Sequence, residues 1–279
     1  MVKWNDLTVS KHIQRVGLFL AVGFLLVYLA SSSPPTQNLP RSSFLRITKI
    51  VKLKICETHK KATKKSKICV EDSYGITASG FIVETAEEGG TYVMTAAHVC
   101  DSQDDLKRIS IDPANKIFKK PEVSVSKNVF KGLDLRGETH EMQFVRMEAK
   151  QDLCLLYAPD LNGPALEIAD KTPEIGEEVY NIAAPIGYSF KNMIPILSGY
   201  YSGLNPWGFE IYTIPVMGGS SGSPVLNKYN EVVGMIVMRL TDFDNVSLSP
   251  QRVSIAKFIR IAIKNHAHNN CLCSHPNEK

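Results

Sequence analysis

Residues 217–237 are "MGGSSGSPVLNKYNEVVGMIV" and place two adjacent serines, Ser220 and Ser221, between glycines and ahead of a proline. Gly, Ser and Pro are also common in ordinary surface turns, so the motif alone does not define a site. The β-branched run that follows predicts a strand directly after the turn. A serine on this turn is a candidate nucleophile only if the chain also supplies a base and an acid that orients the base.

Two other segments supply residues of those types. "TYVMTAAHVC" (91–100) places His98 directly after a predicted strand, at small alanines that allow a tight turn. "KQDLCLLYA" (150–158) places Asp152 at the start of an apolar strand, where a buried carboxylate needs a donor such as an imidazole N–H. A lone histidine at such a position is more often structural than catalytic. The order His98, Asp152, Ser221 is the chain order of chymotrypsin-like enzymes, so the three together predict a catalytic triad.

From residue 45 onward the chain is β-rich. The candidate strands are rich in β-branched residues and are separated by Gly, Pro, Asn or charged turns, which is typical of barrels and sandwiches. They are residues 47–56, 76–83, 91–97, 150–158, 178–185, 209–216 and 231–239. One helix is predicted near the C-terminus, over residues 254–266, where Ile255, Phe258, Ile259 and Ala262 share one face.

The three segments around these residues resemble a known family. "TAAHV", "DLCLL" and "GGSSGSPV" are similar to the three triad segments of trypsin-like serine peptidases. "SGSPVLNKYNEVVGM" most resembles the bacterial glutamyl-endopeptidase branch, and "AAPIGYSF" and "SGYYSG" resemble segments of that branch and of the high-temperature-requirement proteases. The resemblance covers residues 70–265. It implies an all-β, chymotrypsin-like fold of two six-stranded antiparallel β-barrels, followed here by the C-terminal helix.

The resemblance also implies a role for each site residue. Ser221 would attack the scissile carbonyl, His98 would take its proton, and Asp152 would hold the imidazole tautomer and stabilise the imidazolium. The oxyanion hole of the family maps onto the backbone N–H groups of Gly219 and Ser221. Ser220 stands where the trypsin branch has an aspartate that pairs with a new N-terminal ammonium, so activation through such a buried ion pair is not expected.

Substrate preference is less well indicated. The glutamyl branch binds its acidic side chain with a histidine shortly after "VIG", whereas this chain has Met235, Ile236 and Val237 after "VVG". These residues and the segment 215–217 would not compensate a buried carboxylate, so cleavage after glutamate is not expected and an apolar preference is the alternative. Arg239 is interpreted as a solvated residue at a strand end, with reach into the specificity pocket as the alternative.

The six cysteines are consistent with a protein that forms disulfides, but the sequence does not decide their pairing. Cys56 and Cys69 flank a basic stretch and are expected to be able to close it as a disulfide loop. Cys271 and Cys273 are too close together to bond comfortably to each other. No CxxC pair and no HExxH motif occurs, so neither a metal site nor a cofactor is expected.

Two cysteines lie close to the triad segments. Cys100 follows His98 by two residues rather than one, and the position that would match its usual family partner falls near Thr77. The usual bridge beside the histidine is therefore expected to be absent. Cys154 is expected to be a small buried hydrophobic residue.

The N-terminal segment predicts export. Lys3, Lys11 and Arg15 precede an apolar run over residues 16–30, which is short for a membrane-spanning helix but typical of the apolar part of an export signal. A cleaved signal peptide and an uncleaved membrane anchor both remain open. In either case the following domain is expected outside the cytoplasm, secreted or membrane-anchored.

The predicted domain organisation has four parts. These are a signal peptide or anchor helix (1–30), a Pro/Ser-rich linker (31–45), a trypsin-like peptidase domain of two barrels with a boundary near 160–175 (46–267), and a Cys-containing tail (268–279).

Charge is distributed unevenly along the chain. The 279 residues are 44% hydrophobic and 22% charged, which is ordinary for a protein that buries a core, and the net charge is +4. Residues 46–67 contain nine Lys or Arg and one Glu, a local charge of +8, so the remainder carries −4. This segment is interpreted as a solvated strand and loop, with contact to an anionic surface or polymer as the alternative. No aromatic residues interleave with it, so no specific nucleic acid is expected.

The sequence therefore predicts a serine endopeptidase that hydrolyses protein or peptide substrates through an acyl-enzyme. Two alternatives remain open. One is a catalytically silent binding module on the same fold, and the other is a protein whose main role is to bind an anionic polymer through residues 46–67. A membrane partner is expected only if the N-terminal helix is not cleaved.

Overall fold

The computed structural model describes residues 38–61, 64–101, 122–240 and 245–273, and the fold is given for these ranges. The described residues from Leu39 onward form one compact unit. The predicted signal or anchor helix lies outside the described residues. Within the described ranges no helix combines the length and apolarity needed to cross a membrane. Leu39 and Phe44 are already buried, so the domain boundary predicted at residue 46 falls inside the first strand.

Six antiparallel strands form a closed barrel in the N-terminal half, in the order β1-β2-β3-β6-β5-β4. They are β1 (Phe44–Lys61), β2 (Lys64–Thr85), β3 (Thr91–Thr95), β4 (Glu122–Leu133), β5 (Thr139–Glu148) and β6 (Leu153–Ala158), with the short helix α1 (Ala97–Cys100) after β3. The apolar runs of β3 and β6 are almost entirely buried and pair with each other. This first barrel confirms the six-stranded barrel predicted for this half of the chain.

The β1–β2 hairpin extends beyond the strands that close the barrel. Cys56 lies opposite Cys69 in the register of this hairpin, and the two form the disulfide that the sequence allowed. Val51, Leu53 and Ile55 pack beneath the hairpin in a small separate apolar cluster. The basic stretch predicted to be a strand and loop is therefore the distal part of a long β-hairpin held by a disulfide.

The C-terminal half forms a seven-stranded sheet in the order β11-β10-β7-β8-β9-β13-β12. Its strands are β7 (Glu178–Ile182), β8 (Ile196–Leu204), β9 (Phe209–Tyr212), β10 (Pro224–Leu226), β11 (Val232–Met235), β12 (Met238–Arg239) and β13 (Ser247–Pro250). The prediction of a second six-stranded barrel is wrong in this respect. The two edge strands of this sheet, β11 and β12, are joined by Ile236 and Val237. The Ile236 N–H donates to the Ser223 carbonyl, and the Val237 N–H donates to the Leu248 carbonyl, so β11 and β12 do not pair with each other.

A single long helix, α2 (Arg252–Cys273), ends the described chain. The residues predicted to share its apolar face are all buried, which confirms that face: Ile255, Phe258, Ile259 and Ala262. The helix packs against β5, β6 and β11. It covers the outer side of the first barrel, which explains why β6 is buried on both faces. It also extends to Cys273, so the predicted tail begins within it.

Candidate active site

His98 lies in α1, directly after β3. Ala96 and Ala97 are buried, and their small side chains let the chain turn close to the neighbouring strand β6. The Ala97 N–H donates a 3.1 Å hydrogen bond to the carbonyl of Asp152. The backbone of the histidine segment is therefore joined directly to the aspartate segment.

The carboxylate of Asp152 holds His98 at two points. Oδ1 accepts a 2.8 Å hydrogen bond from the His98 backbone N–H, and Oδ2 lies 2.7 Å from the ring Nδ1. Because an ionised carboxylate can only accept hydrogen bonds, Nδ1 carries the ring proton and Nε2 is left as a lone-pair acceptor. The side chains of His98 and Asp152 are 26% and 19% exposed, so the pair is sheltered while the ring remains accessible.

Asp152 occupies an uncommon backbone conformation. Its φ is 54°, in the left-handed region that aspartate tolerates better than most residues. Its N–H donates to the Ala149 carbonyl at 3.3 Å in the turn that precedes β6. This turn directs the carboxylate toward α1 rather than along the strand.

The serine turn is shaped by two glycines with positive φ, Gly219 (97°) and Gly222 (86°). A Cβ on Gly219 would lie 2.5 Å from the Ala184 carbonyl oxygen, and one on Gly222 would collide with the Ser79 carbonyl oxygen. Only glycine fits at either position, both for its backbone conformation and for its surroundings. The turn is therefore packed tightly against neighbouring backbone.

The two serines have different environments. Ser220 is 1% exposed, and its Oγ accepts a 3.4 Å contact from the Met217 N–H. Ser221 is only partly buried. Of the two, Ser221 is the one whose hydroxyl a substrate can reach.

Among the described residues the backbone N–H groups of Gly218, Gly219 and Ser221 have no acceptor, and the last two, those of Gly219 and Ser221, are the expected oxyanion donors. The carbonyls that share their peptide planes are both held. The Ile186 N–H donates to the Gly218 oxygen at 2.5 Å, and the Ser223 N–H donates to the Ser220 oxygen at 3.0 Å. Since a trans peptide directs its N–H opposite to its C=O, these bonds fix the directions of the two free N–H groups.

His98 and Asp152 are thus brought together by hydrogen bonds, whereas the described residues contain no hydrogen bond between the Ser221 hydroxyl and His98.

The residues expected near a specificity pocket divide into two groups. Met235, Ile236 and Val237 are buried in the core, and Arg239 is exposed. Arg239 therefore lies at a solvated strand end.

Cys100 and Cys154 form a disulfide, which the sequence analysis did not expect. The usual family bridge to the position near Thr77 is absent, as expected, because Cys100 pairs elsewhere. The prediction for Cys154 is wrong, because this buried residue is a disulfide partner and not a free hydrophobic residue. The register explains the pairing, because Thr95 of β3 lies opposite Cys154 and the α1 turn brings Cys100 back to it, with a Cα–Cα distance of 6.5 Å. The bridge joins the segments that carry His98 and Asp152.

Removing this bridge should destabilise the domain. With a sequence separation of 54 residues, replacing both Cys100 and Cys154 by alanine is expected to lower the free energy of unfolding by about 4 kcal/mol in the chain-entropy account. The matched control replaces Cys56 and Cys69, separated by 13 residues, with an expected loss of about 3 kcal/mol. Urea-induced unfolding measures both. An unchanged unfolding free energy for the Cys100/Cys154 variant would contradict the bridge.

One cluster in the described ranges has the residue types of a metal site, on the turn between β4 and β5. Ligand atoms of Asp134, Glu138 and His140 lie within 4.8 Å of one another. Arg136 already pairs with both carboxylates, at 3.0 Å and 3.1 Å. Burial alone would raise the pKa of the Asp134 carboxyl, but hydrogen bonds from the Glu138 N–H and from Arg136 hold that pKa below its usual value. The two carboxylates of the cluster are thus paired with Arg136. The ring nitrogens of the buried His140 make no hydrogen bond within the described residues and lie 3.6 Å from Asp134 and 3.5 Å from Asp160.

Several contacts of the site were not predicted from the sequence. Ser79 bonds to the serine turn, and the segment Pro185–Gly187 holds the Gly218 carbonyl. The signal for Ser79 was a small polar residue in the otherwise apolar strand "ITASGFIV". Ile186 gave no such signal, because its contribution is a backbone N–H at a φ of 49°.

Comparisons with known proteins agree with this fold. Residues 78–235, more than half of the chain, match the family model described as a trypsin-like peptidase domain. No curated protein sequence matches the chain.

Solved structures show the same fold. The serine endoprotease from Yersinia pestis is 16% identical with a TM-score of 0.56, over 84% of this chain and 68% of that one. Two structures of Rv3671c from M. tuberculosis H37Rv, both described as inactive forms, are similar too. One is 16% identical with a TM-score of 0.51, over 83% of this chain and 94% of that one. The other is 15% identical with a TM-score of 0.52, over 80% and 90%.

Proposed function

Since this chain belongs to the trypsin-like peptidase domain family, we propose that it is a serine endopeptidase whose catalytic residues are His98, Asp152 and Ser221. One observation carries the proposal. The Asp152 carboxylate bonds both to the backbone and to Nδ1 of His98, which leaves Nε2 of the partly exposed ring as a base. A histidine with only a structural role has no need of a carboxylate on Nδ1 and a free Nε2.

The proposed reaction begins at Ser221. Its Oγ attacks the carbonyl carbon of the scissile peptide bond while Nε2 of His98 takes the hydroxyl proton. Asp152 stabilises the imidazolium through the Nδ1–H hydrogen bond. The C–N bond then breaks as the imidazolium gives the proton to the leaving amine, and water hydrolyses the acyl-enzyme by the same route in reverse.

The oxyanion of the tetrahedral intermediate would be bound by Gly219 and Ser221. Their N–H groups have no acceptor among the described residues, and the peptide planes that carry them are held by Ile186 and Ser223. Preorganised donors of this kind stabilise the charge that develops in the transition state. The site needs no zymogen-type ion pair, because Ser220 is neutral and is buried beneath the turn.

The Ser221 hydroxyl and His98 are expected to come into hydrogen-bond contact when substrate binds. Catalytic hydrogen bonds are often long or poorly aligned in free enzymes and tighten only in the substrate complex. The silent-module alternative would instead leave the His98–Asp152 pair and the two free N–H groups without a role.

We also propose that the domain acts outside the cytoplasm. Two disulfides occur among the described residues, and such bonds persist mainly in oxidising compartments.

The β1–β2 hairpin, which carries the basic segment 46–67, supports a contact with an anionic polymer as a secondary role. In its register the exposed Lys52 lies opposite the exposed Lys127 of β4, and like charges in such positions repel unless they are neutralised.

A mixed peptide library tests the proposed activity. The full chain is expected to cleave internal peptide bonds, with apolar residues preferred over glutamate before the cleaved bond. The reason is that Met235 and Ile236 supply no charge to neutralise a carboxylate. Mass spectrometry of the products identifies the cleaved bonds. A folded protein that leaves the whole library intact would contradict the proposal.

A further inference from the structure

Ser79 lies in β2, where the first barrel meets the serine turn, and it is fully buried. Its N–H donates a 2.8 Å hydrogen bond to the Ser221 carbonyl. Its Oγ–H donates a second bond of 2.8 Å to the Gly219 carbonyl. A single residue of the first barrel thus binds the turn on both sides of Ser220.

Two further hydrogen bonds fix Ser79 itself. The Ala184 N–H donates to Ser79 Oγ at 2.9 Å, so this hydroxyl has both a donor and an acceptor partner. Thr95 Oγ1 donates to the Ser79 carbonyl at 2.8 Å. Thr95 is the last residue of β3, three positions before His98. Ser79 therefore connects the strand that leads to the base with the turn that carries the nucleophile.

The carbonyls that Ser79 holds belong to the two peptide planes on either side of the Ser220–Ser221 peptide. Because each peptide is planar, fixing both neighbours limits the rotation of the plane between them, which carries the Ser221 N–H. That N–H is one of the two donors assigned to the oxyanion. The same bonds also limit rotation at Ser221, whose Oγ is the proposed nucleophile.

We propose that Ser79 is a positioning residue of the hydrolysis, which holds the peptide planes on both sides of the Ser220–Ser221 peptide and so keeps the Ser221 N–H in the orientation that binds the oxyanion. This inference rests on the proposed function. Ser79 does not touch substrate, and its contribution acts through the turn. It is expected to matter more in the transition state than in substrate binding, since the oxyanion exists only after attack.

The test is Ser79→Ala in the full chain, assayed with p-nitrophenyl acetate. The rate is expressed per active site titrated with a fluorophosphonate, so that unfolded protein does not enter it. Losing an oxyanion donor outright costs about 10²–10³ in kcat, and losing only its support is expected to lower kcat about tenfold. KM should change by less than about threefold, because ground-state binding does not use the oxyanion donors.

A matched control is Ser249→Ala. Ser249 is also fully buried and its Oγ also makes two hydrogen bonds, from the Met235 N–H at 2.8 Å and to the Pro250 carbonyl at 2.7 Å. It makes no hydrogen bond to residues 218–222 in the described structure. This variant is expected to unfold at a lower temperature with kcat per titrated site unchanged, whereas Ser79→Ala lowers kcat per site.

The outcomes distinguish a failure of the role proposed for Ser79 from a failure of the proposed peptidase function. Equal kcat per titrated site for Ser79→Ala and the parent would overturn this inference and leave the proposed function intact. A parent protein that does not react with the fluorophosphonate would overturn the proposed function and this inference with it. If Ser79→Ala does not fold, Ser79→Cys keeps a side chain of similar shape with weaker hydrogen bonding, and the same fall in kcat per site is expected.

Discussion

Replacing Ser221 by alanine is expected to abolish the acyl-enzyme and to lower kcat by about 10⁶-fold, to the level that binding and the oxyanion hole alone supply. Alanine has no oxygen to attack the carbonyl. His98 and Asp152 cannot replace the nucleophile, because they are bonded to each other and serve as the base and the group that orients the base. Turnover of a peptide found in the library measures the effect. Thermal unfolding of the variant shows that the fold is kept.

Ser220→Ala is the matched control for this variant. Both changes remove one hydroxyl from the same turn. Ser220 is buried, and the one hydrogen bond of its Oγ in the described part of the chain is the long 3.4 Å contact from the Met217 N–H. Its loss is expected to change kcat by less than about tenfold, far below the cost of losing the nucleophile. If Ser220→Ala lost as much activity as Ser221→Ala, the assignment of the nucleophile would be wrong.

Asp152→Asn is expected to have the next largest effect, a fall in kcat of about 10⁴-fold with the fold kept. The carboxylate accepts from both the His98 backbone N–H and Nδ1–H. An asparagine side chain has only one acceptor oxygen. When that oxygen accepts from the His98 backbone N–H, the NH₂ group faces Nδ1 and favours the tautomer with the ring proton on Nε2. A histidine in that tautomer cannot take the proton from Ser221.

Asp72→Asn is a control for the change of charge. Asp72 is exposed on β2, and within the described residues its one hydrogen bond, of 2.7 Å, comes from the neighbouring Ser73 N–H. Turnover of this variant is expected to stay within about twofold of the parent, since exposed and isolated charges contribute little. Activity of Asp152→Asn within tenfold of the parent would show that Asp152 does not orient the base.

The elements with a strong local pattern could be predicted from the sequence. The spacing of Ile255, Phe258, Ile259 and Ala262 predicted the buried face of α2, because the helical period depends only on neighbouring residues. Most strands of the first barrel were also predictable from β-branched runs. The order of His98, Asp152 and Ser221 predicted the candidate site, and the structure brings His98 and Asp152 into contact.

Features that depend on distant parts of the chain were not predictable in the same way. Cys100 and Cys154 are 54 residues apart, and only the pairing of β3 with β6 brings them together. The seven-stranded sheet depends on how the chain passes from β11 to β12 at Ile236. The backbone of Ile236 is hydrogen-bonded to Gly222 and Ser223, which belong to another segment. The contacts of Ser79 link three segments, and no local pattern encodes such a set.

The central claim is that Ser221 is a nucleophile activated by His98, and fluorophosphonate labelling followed by peptide mapping tests it most directly. The reagent reacts with an activated serine and not with an ordinary surface hydroxyl. The account predicts one adduct, on Ser221, which is absent from the Ser221→Ala variant and strongly reduced in Asp152→Asn. An adduct on Ser220, full labelling of Ser221→Ala, or no adduct on the folded parent protein would contradict it.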